Sequence, residues 1–588
     1  MSKFSIGVVL FRGHDLRVAD HAPLHTACSS CNHVFPVFIW ADPNQEAVEL
    51  GFARARVSEV LIGSSVKALE STLESKGSKL VYRRNEKGKD IAGILRELAS
   101  DIQVLYDDSA IINLYMSSRF EPEASGIDRC MIAALEGKDY SSVFQFNSNL
   151  LYDPQTVNLN NNGQWHGHWG TLMPFVRACQ KIGPPERPLP EPNDLRIPTF
   201  WPRSDEDLCI GPNPAKNSWV QKILKYWVMT EEEANKNMIK FVGSTSSSLY
   251  LKPNPNPIDM GQTGLSNYER ERSRVDKDSS VSKVSPYLRY GLLSPRSLFY
   301  AVEEAKKCLP KDATKTFGRR LFWRDLAYFQ LKTFPSMHTQ SIRLHYDQHE
   351  WTNDDDQKLF RSWCVGLTGY PMVDAAMREL WETGWMHQSM RMVVASFLVE
   401  FMGLDWRLGH RWFHDTLADA DLAINSMMWQ NAGKSGIDQW NFVNRPDEGS
   451  SRDPSGSWTR RWVPELRALP SKYLIKPWDA PSELLESKGV ELGVTYPYPI
   501  VAPDKLTEYL QLSRQRTLAM RRANLESNDA GGYDLITLPN GTKTRVFTRK
   551  DYRLDSAGQP IPQTVTNPNP NQPRKVVSTK KKRRKDQR

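Results

Sequence analysis

The chain has 588 residues, 39% of them hydrophobic and 10% aromatic, with 77 Lys and Arg against 68 Asp and Glu for a net charge of +9. That length suits two or three domains, and the positive balance suits an anionic partner. The longest apolar runs are short and interrupted, so no membrane-spanning helix is expected.

The opening MSKFSIGVVLFRGHDLR passes from an apolar run straight into charged residues without a small-residue cleavage site, which argues against a secretory leader. Seven cysteines, an odd number over a long chain, fit a reducing compartment. Cys28 and Cys31 form a lone CxxC with no second pair or histidine cluster nearby and read as ordinary thiols.

In chain order, IGVVLF (6–11), HVFPVFIW (33–40), KLVYRR (79–84) and IQVLYDD (102–108) are apolar, β-branched and aromatic runs of strand length. Helical stretches such as ARARVSEVLIGSSVKALESTLESKG lie between them, and that alternation predicts an α/β doubly wound domain over residues 1–135. Turn residues dominate NLNNNGQWHGHWG and IGPPERPLPEPNDLRIP, so 136–225 reads as an inter-domain connector. The polar stretch 244–264 reads as an exposed loop. From 226 to 505 the pattern is helical. Met390, Val393, Val394, Phe397, Leu398 and Phe401 recur at three- and four-residue spacing, which predicts one apolar face. Residues 506–588 read as a C-terminal extension, largely disordered and with a basic end.

Three blocks in the helical part carry the chemistry: RRLFWRDLAYF (319–329), TGYPMVDAAMRELWETGWMHQSMRM (368–392) and DWRLGHRWFHDTLADADLAINSMMW (405–429). Upstream, VSKVSPYLRYGLLSPR sets Ser282, Lys283 and Ser285 at a helix start, where hydroxyls and backbone N–H groups suit a phosphate. Read alone, Ser before Pro is more often a helix cap, DAD a surface turn, and each Trp a packing residue.

In order and spacing the three blocks closely resemble the flavin-binding domain of the photolyase/cryptochrome family, and the resemblance extends over roughly residues 1–501. FRGHDLRVADHAPL (11–24) is similar to the family's opening motif, with Phe11 where many members carry Trp. The resemblance implies FAD, held by Tyr268, Ser282, Lys283, Ser285, Arg324, Arg391, Asp419, Ala420 and Asp421, with Arg391 and Asp419 as a buried pair beside the flavin. Asn425 would face flavin N5. It offers no acidic proton there, which is the photolyase pattern, whereas plant cryptochromes typically place Asp. Trp429, Trp406 and Trp351 match the family's electron relay, inner to outer.

Family repair enzymes hold a flipped-out pyrimidine dimer with a Glu, an Asn, a Met and two Trp. Here Trp323 and Met392 match, while Arg320, Gln388 and Asn431 stand at the Glu, Asn and second Trp positions. Arg320 retains the capacity to contact a DNA phosphate. A folate antenna is common in the family, and VLYDDSAIINLYMSSRFEP (104–122) departs from the usual contact segment.

WVPELRALPSKYLIKPWDAP and LGVTYPYPIV are closest in texture to plant-type cryptochromes and their related photolyases. The expectation is a blue-light receptor that signals through other proteins, rather than an enzyme. The alternative is a deoxyribodipyrimidine photo-lyase. The run KKKRRK at Lys580 to Lys585 reads as a nuclear localisation or nucleic-acid patch, with a solubilising tail as the bland alternative, and the location expected is the nucleus, with the cytoplasm as a further site.

Overall fold

The computed structural model describes residues 4–40, 56–85, 90–159, 169–205, 210–243, 263–440, 442–529 and 532–561. Strands β1 (Phe4–Phe11), β2 (His33–Trp40), β3 (Val81–Arg84), β4 (Ala110–Ser117) and β5 (Ser142–Phe146) form a parallel sheet in the order β3-β2-β1-β4-β5. Both faces are covered, as a parallel sheet requires. Ile6, Val8 and Leu10 pack with Leu95, Leu98 and Ile102 of helix α1 (Ile91–Leu105), whereas Val9 and Phe11 point into a core that continues into the helical part.

Two boundaries differ from the sequence expectation. IQVLYDD (102–108) is the end of α1 and the turn after it, and the strand is β4, further on. Leu95, Leu98, Ala99 and Ile102 lie on one helical face, and the Asp90 carboxylate caps the helix by accepting from Gly93 N–H, so Ile102 continues a helical period. The fifth strand lies beyond residue 135. The α/β sheet therefore takes in the start of the stretch read as connector, which also contains helices Leu172–Ile182 and Ser218–Tyr226.

The opening motif clasps the two domains together. Leu16 N–H donates to Tyr290 O (3.1 Å), the Arg17 guanidinium donates to Gly291 O (2.9 Å), and Arg296 pairs with Asp20 (2.9 Å). A Cβ on Gly291 would stand 2.1 Å from His14 O, so only glycine permits this approach.

The helical part includes α2 (Ser285–Arg289), α3 (Lys315–Thr333), α4 (Gln388–Ser396), α5 (Trp406–Thr416) and α6 (Leu422–Ala432). The face from Met390 to Phe401 is buried as the spacing predicts, and the coil widens to a π-helix over Phe397–Phe401. Among the described residues no helix is long and apolar enough to cross a membrane.

The extension departs from expectation over its described part. Helix α7 (Leu506–Ala523) leads into an antiparallel sheet of β6 (Asn528–Asp529), β7 (Tyr533–Thr537) and β8 (Lys543–Phe547). It is held to the helical domain by buried ions. Asp534, fully buried, lies between Arg343 (2.6 Å) and Arg521 (2.5 Å). Lys434 pairs with Glu400 (3.0 Å) and donates to Ser513 Oγ of α7 (2.6 Å). The composition here is polar because polar groups do the anchoring. Residues 562–588, with the basic run, and the polar stretch 244–262 lie outside the described residues.

Candidate functional site

A cavity of about 630 Å³ opens into the helical domain between α2, α3, α4 and α6. Tyr268, Ser282, Lys283, Ser285, Arg324, Arg391, Asp419 and Asp421 all line it. A hollow continuing from it is lined by Asn425, Trp429, Ala420, Met392 and Gln388. The structure thus gathers every residue expected at the cofactor, from segments more than 150 positions apart in sequence.

Helix ends place the polar groups. The Asp421 side chain caps α6, accepting from Ile424 N–H (3.0 Å), and also accepts from Tyr328 OH (2.8 Å). That fixes Asp419, two residues earlier, where it meets Arg391 (2.9 Å) and accepts from Ser285 Oγ (2.6 Å). Arg391 donates a further bond to Met386 O (2.9 Å), and Arg289 donates to Ala420 O (2.5 Å). Arg324 donates to Asn149 O, so it ties the cavity wall to the connector. Tyr268 is packed edge-on against Phe241 and Phe317.

His387 caps α4 by accepting from Ser389 N–H. Burial pushes its pKa down to about 3, with Arg391 and Lys283 adding to the effect, so it stands neutral beside two cations. Lys283 adopts a left-handed backbone (φ 50°), and its ammonium sits 5.1 Å from the centre of the Trp385 ring. The Asn425 amide nitrogen donates one of its two N–H groups to His410 O (2.9 Å), which fixes the amide beside the hollow.

The cavity lining combines charged groups, Lys283, Arg391 and Asp419, with apolar ones, Leu288, Met386, Ile424 and Met428. A flavin dinucleotide needs that combination: donors for its diphosphate, paired charge at the ring edge and an apolar cradle.

The three tryptophans lie apart from one another in exposure. Trp429 lines the hollow and Trp406 is buried, while Trp351 is half-buried. The first two interlock between α5 and α6. A Cβ on Gly409 of α5 would stand 2.1 Å from the Trp429 ring, and one on Gly433 just past α6 would stand 2.4 Å from the Trp406 ring. The Trp351 ring centre is 4.2 Å from that of His349, whose Nε2 is 3.2 Å from Thr517 Oγ1 of α7.

The positions aligned with dimer contacts also meet here. Arg320, Trp323, Gln388, Met392 and Asn431 line the same cavity. Sequence reasoning passed over Arg289, Trp385, Trp440 and Phe442, which line it too. Trp385 could have been found, since it lies inside the GWMH block. Arg289 lies inside SPYLRYG, although nothing in that motif marks it as facing the cavity.

Cys28 and Cys31 are both buried, and burial pushes the Cys28 thiol up to about 12.

Residues 7–193 match the family described as DNA photolyase, and residues 317–513 match the FAD binding domain of DNA photolyase. The chain is 32% identical to a deoxyribodipyrimidine photo-lyase of Agrobacterium fabrum, over 86% of this chain and 97% of that protein. It is 30% identical to cryptochrome-2 of Arabidopsis thaliana, over 87% of this chain and 79% of that protein. Its fold is similar to the crystal structure of a bacterial class III photolyase from Agrobacterium tumefaciens, with a TM-score of 0.75 and 30% identity, covering 88% of this chain and 98% of that one. With an α/β sheet domain joined to the helical FAD-binding domain that those relatives share, the chain belongs to the photolyase/cryptochrome family.

Proposed function

We propose that this protein is a blue-light photoreceptor of the cryptochrome type, with FAD in the 630 Å³ cavity and a tryptophan relay leading from it. The observation that carries this reading is the contact at the outer end of the relay. Trp351 packs on His349, and His349 reaches Thr517 of the folded extension.

FAD supplies the absorption of blue light and takes up an electron. The chain's own residues do the rest. Arg391, Lys283 and Ser285 would hold the cofactor's negative charge, with Asp419 orienting Arg391, and Asn425, whose nitrogen is engaged by His410 O, would offer its amide to the flavin ring. Trp429, Trp406 and Trp351 pass the electron inward, and α7 covers the outer ring's neighbour. Loss of an electron from Trp351 places positive charge beside Thr352, to which Arg516 of α7 donates (3.0 Å). Repulsion there favours release of the extension toward signalling partners.

A second reading, a light-dependent DNA photolyase, is favoured by Asn425 and by Trp323 and Met392 on the cavity wall. Irradiating the purified protein with dimer-containing duplex DNA and a reductant separates the two. Reduced flavin with intact dimers is the expected result, because Arg320, Gln388 and Asn431 replace three dimer contacts. Efficient repair would overturn the receptor reading and promote the second.

Nuclear location is proposed from the basic run at Lys580 to Lys585. A fluorescent fusion lacking residues 575–588 is expected to lose nuclear accumulation. Unchanged localisation would reduce the run to solvent-facing charge.

A further inference from the structure

The sheet of the extension is incomplete along one edge. Strand β7 pairs over its whole length with β8, whereas β6 covers only Tyr533 and Asp534. Before Asn528 the chain leaves the sheet through a tight 3-10 turn, Leu525–Ser527. In an antiparallel pair only alternate residues bond the partner strand. Gly532 O accepts from Thr548 N–H (3.1 Å) and Leu538 N–H donates to Thr542 O (2.8 Å), so the even-numbered residues of β7 face β8. Leu535 and Thr537 therefore turn their N–H and C=O groups the other way, past the end of β6. A groove of about 440 Å³ lies at that edge, lined by both residues and by Phe334, Met337, Ile342 and Leu344 of the segment after α3. Leu344 is 62% exposed there, an apolar side chain of the kind that a bound partner covers. The groove shares no lining residue with the flavin cavity.

We propose that this groove takes an extended peptide of a partner protein as an added strand beside β7. The peptide is acidic at its N-terminal end, basic at its C-terminal end and apolar at alternate positions between. The main-chain groups of Leu535 and Thr537 bond it, as an open sheet edge bonds any strand laid along it. Its alternation follows from the two faces of β7. Asp534 and Ile536 are buried toward the helical domain, where Asp534 meets Arg343, so every second side chain of the peptide falls on the side of Ile342 and Leu344. The others share the outer face with Thr537, whose cross-strand neighbour is the exposed Lys543. Charge sets the direction. Lys543 lines the groove at the Thr537 end, and Glu526, also exposed, lines it where β6 breaks off. A strand in line with β6 runs antiparallel to β7, which brings its N-terminal end to the lysine and its C-terminal end to the glutamate.

The test titrates a rhodamine-labelled heptapeptide, EVTVTVK, with the FAD-bound full-length protein in the dark and follows anisotropy. Saturable binding is expected, and the charge-exchanged KVTVTVE is expected to bind more weakly. Two copies of EVTVTVK are then N-methylated at alternate residues, one in each phase. One phase should lose binding and the other keep it, because an added strand bonds β7 through every second residue. Thr537→Pro removes an outward N–H and spares the ladder to β8, a place where a strand tolerates proline, and binding is expected to fall roughly tenfold. No saturable binding of EVTVTVK, or equal binding by the two N-methylated phases, would sink the proposal.

Hydrogen exchange in the unmodified protein guards against a variant that fails to fold. Without peptide, the Leu535 and Thr537 amides are expected to exchange faster than those of Asp534, Ile536 and Leu538, and to become protected when EVTVTVK is added. Even protection across 534–538 beforehand, or no change on addition, would overturn the open edge. A dimer of the protein alone in sedimentation, returned to monomer by Thr537→Pro, would give the edge to a second copy of the chain instead of a partner. Failure of the flavin reading would appear separately, as absent flavin absorbance before any peptide is added.

Discussion

Two ion clusters, one in the cavity and one where the extension meets the helical domain, use the same chemistry to opposite ends. In the cavity, Arg391 and Asp419 pair with side chains 21% and 7% exposed, and Ser285 joins them from an exposed position. At the extension, Arg343, Asp534 and Arg521 are 0%, 0% and 1% exposed, and the Asp534 carboxylate is shared between the two guanidiniums. The first pair keeps one side open, so a ligand can enter its field without stripping charges of water a second time. The second is sealed, and its charges are met by each other and by the carbonyls of Gly436, Ile437 and Phe547 rather than by water. Openness, not the identity of the residues, separates a binding pair from a fastening one.

That contrast is sharpest in stability. Asp534→Ala would leave two buried guanidiniums without their anion, and a loss of about 3–5 kcal/mol is expected in denaturant unfolding, with α7 and the β6–β8 sheet cut first by protease. Unaltered stability would show that the sealed cluster fastens nothing. Trp429→Phe is expected to slow light-driven flavin reduction severely, because the indole lining the hollow is the innermost donor of the proposed relay; a normal rate would break that relay.

Asp419→Asn keeps the shape and removes the charge. FAD binding is expected to weaken by about 1.5–3 kcal/mol, the worth of a hydrogen bond to a charged group, with little change in unfolding. Equal losses of stability at positions 419 and 534 would erase the distinction between the clusters.

The smallest effect comes from acid. Burial lowers the pKa of His345 to about 4 and that of His349 to about 3, with Lys434 adding to the latter. Both folded values lie below the ordinary 6.5, so the undocked chain takes up protons first as pH falls. Stability is then lost from 6.5 downward, by about 1 kcal/mol per histidine at pH 6. Asp534 and Glu400 are held below their usual range by neighbouring cations and stay ionised through that window. Protease resistance of the extension that does not change between pH 7 and 5.5 would argue against these buried neutral rings.

The parts legible in the sequence were those written in local pattern. β1 and β2 showed as apolar runs, the face from Met390 to Phe401 as a period, and the cavity residues as three blocks with fixed spacing. IQVLYDD misled because Ile102 serves a helix period and an extended run equally well, and only the Asp90 cap upstream decides. The fold of α7 and its sheet was hidden because its anchors, Asp534, Ser513 and Arg521, are polar residues whose partners lie up to 191 positions away. Trp440 was hidden for a related reason: what carries it to the cavity is a loop closed on Asn431, and no periodicity records a loop closure.

The interlocked rings of α5 and α6 bear on timing. Trp429 rests against Gly409 of α5 and Trp406 against Gly433 just past α6, each meeting only a glycine hydrogen, so the gap between the two proposed donors is fixed by main chain on both sides. A distance held by backbone is not broadened by rotamer exchange. The electron step between Trp406 and Trp429 should therefore follow a single exponential, and it should spread into several only when a methyl group at position 409 or 433 lifts a ring out of its seat.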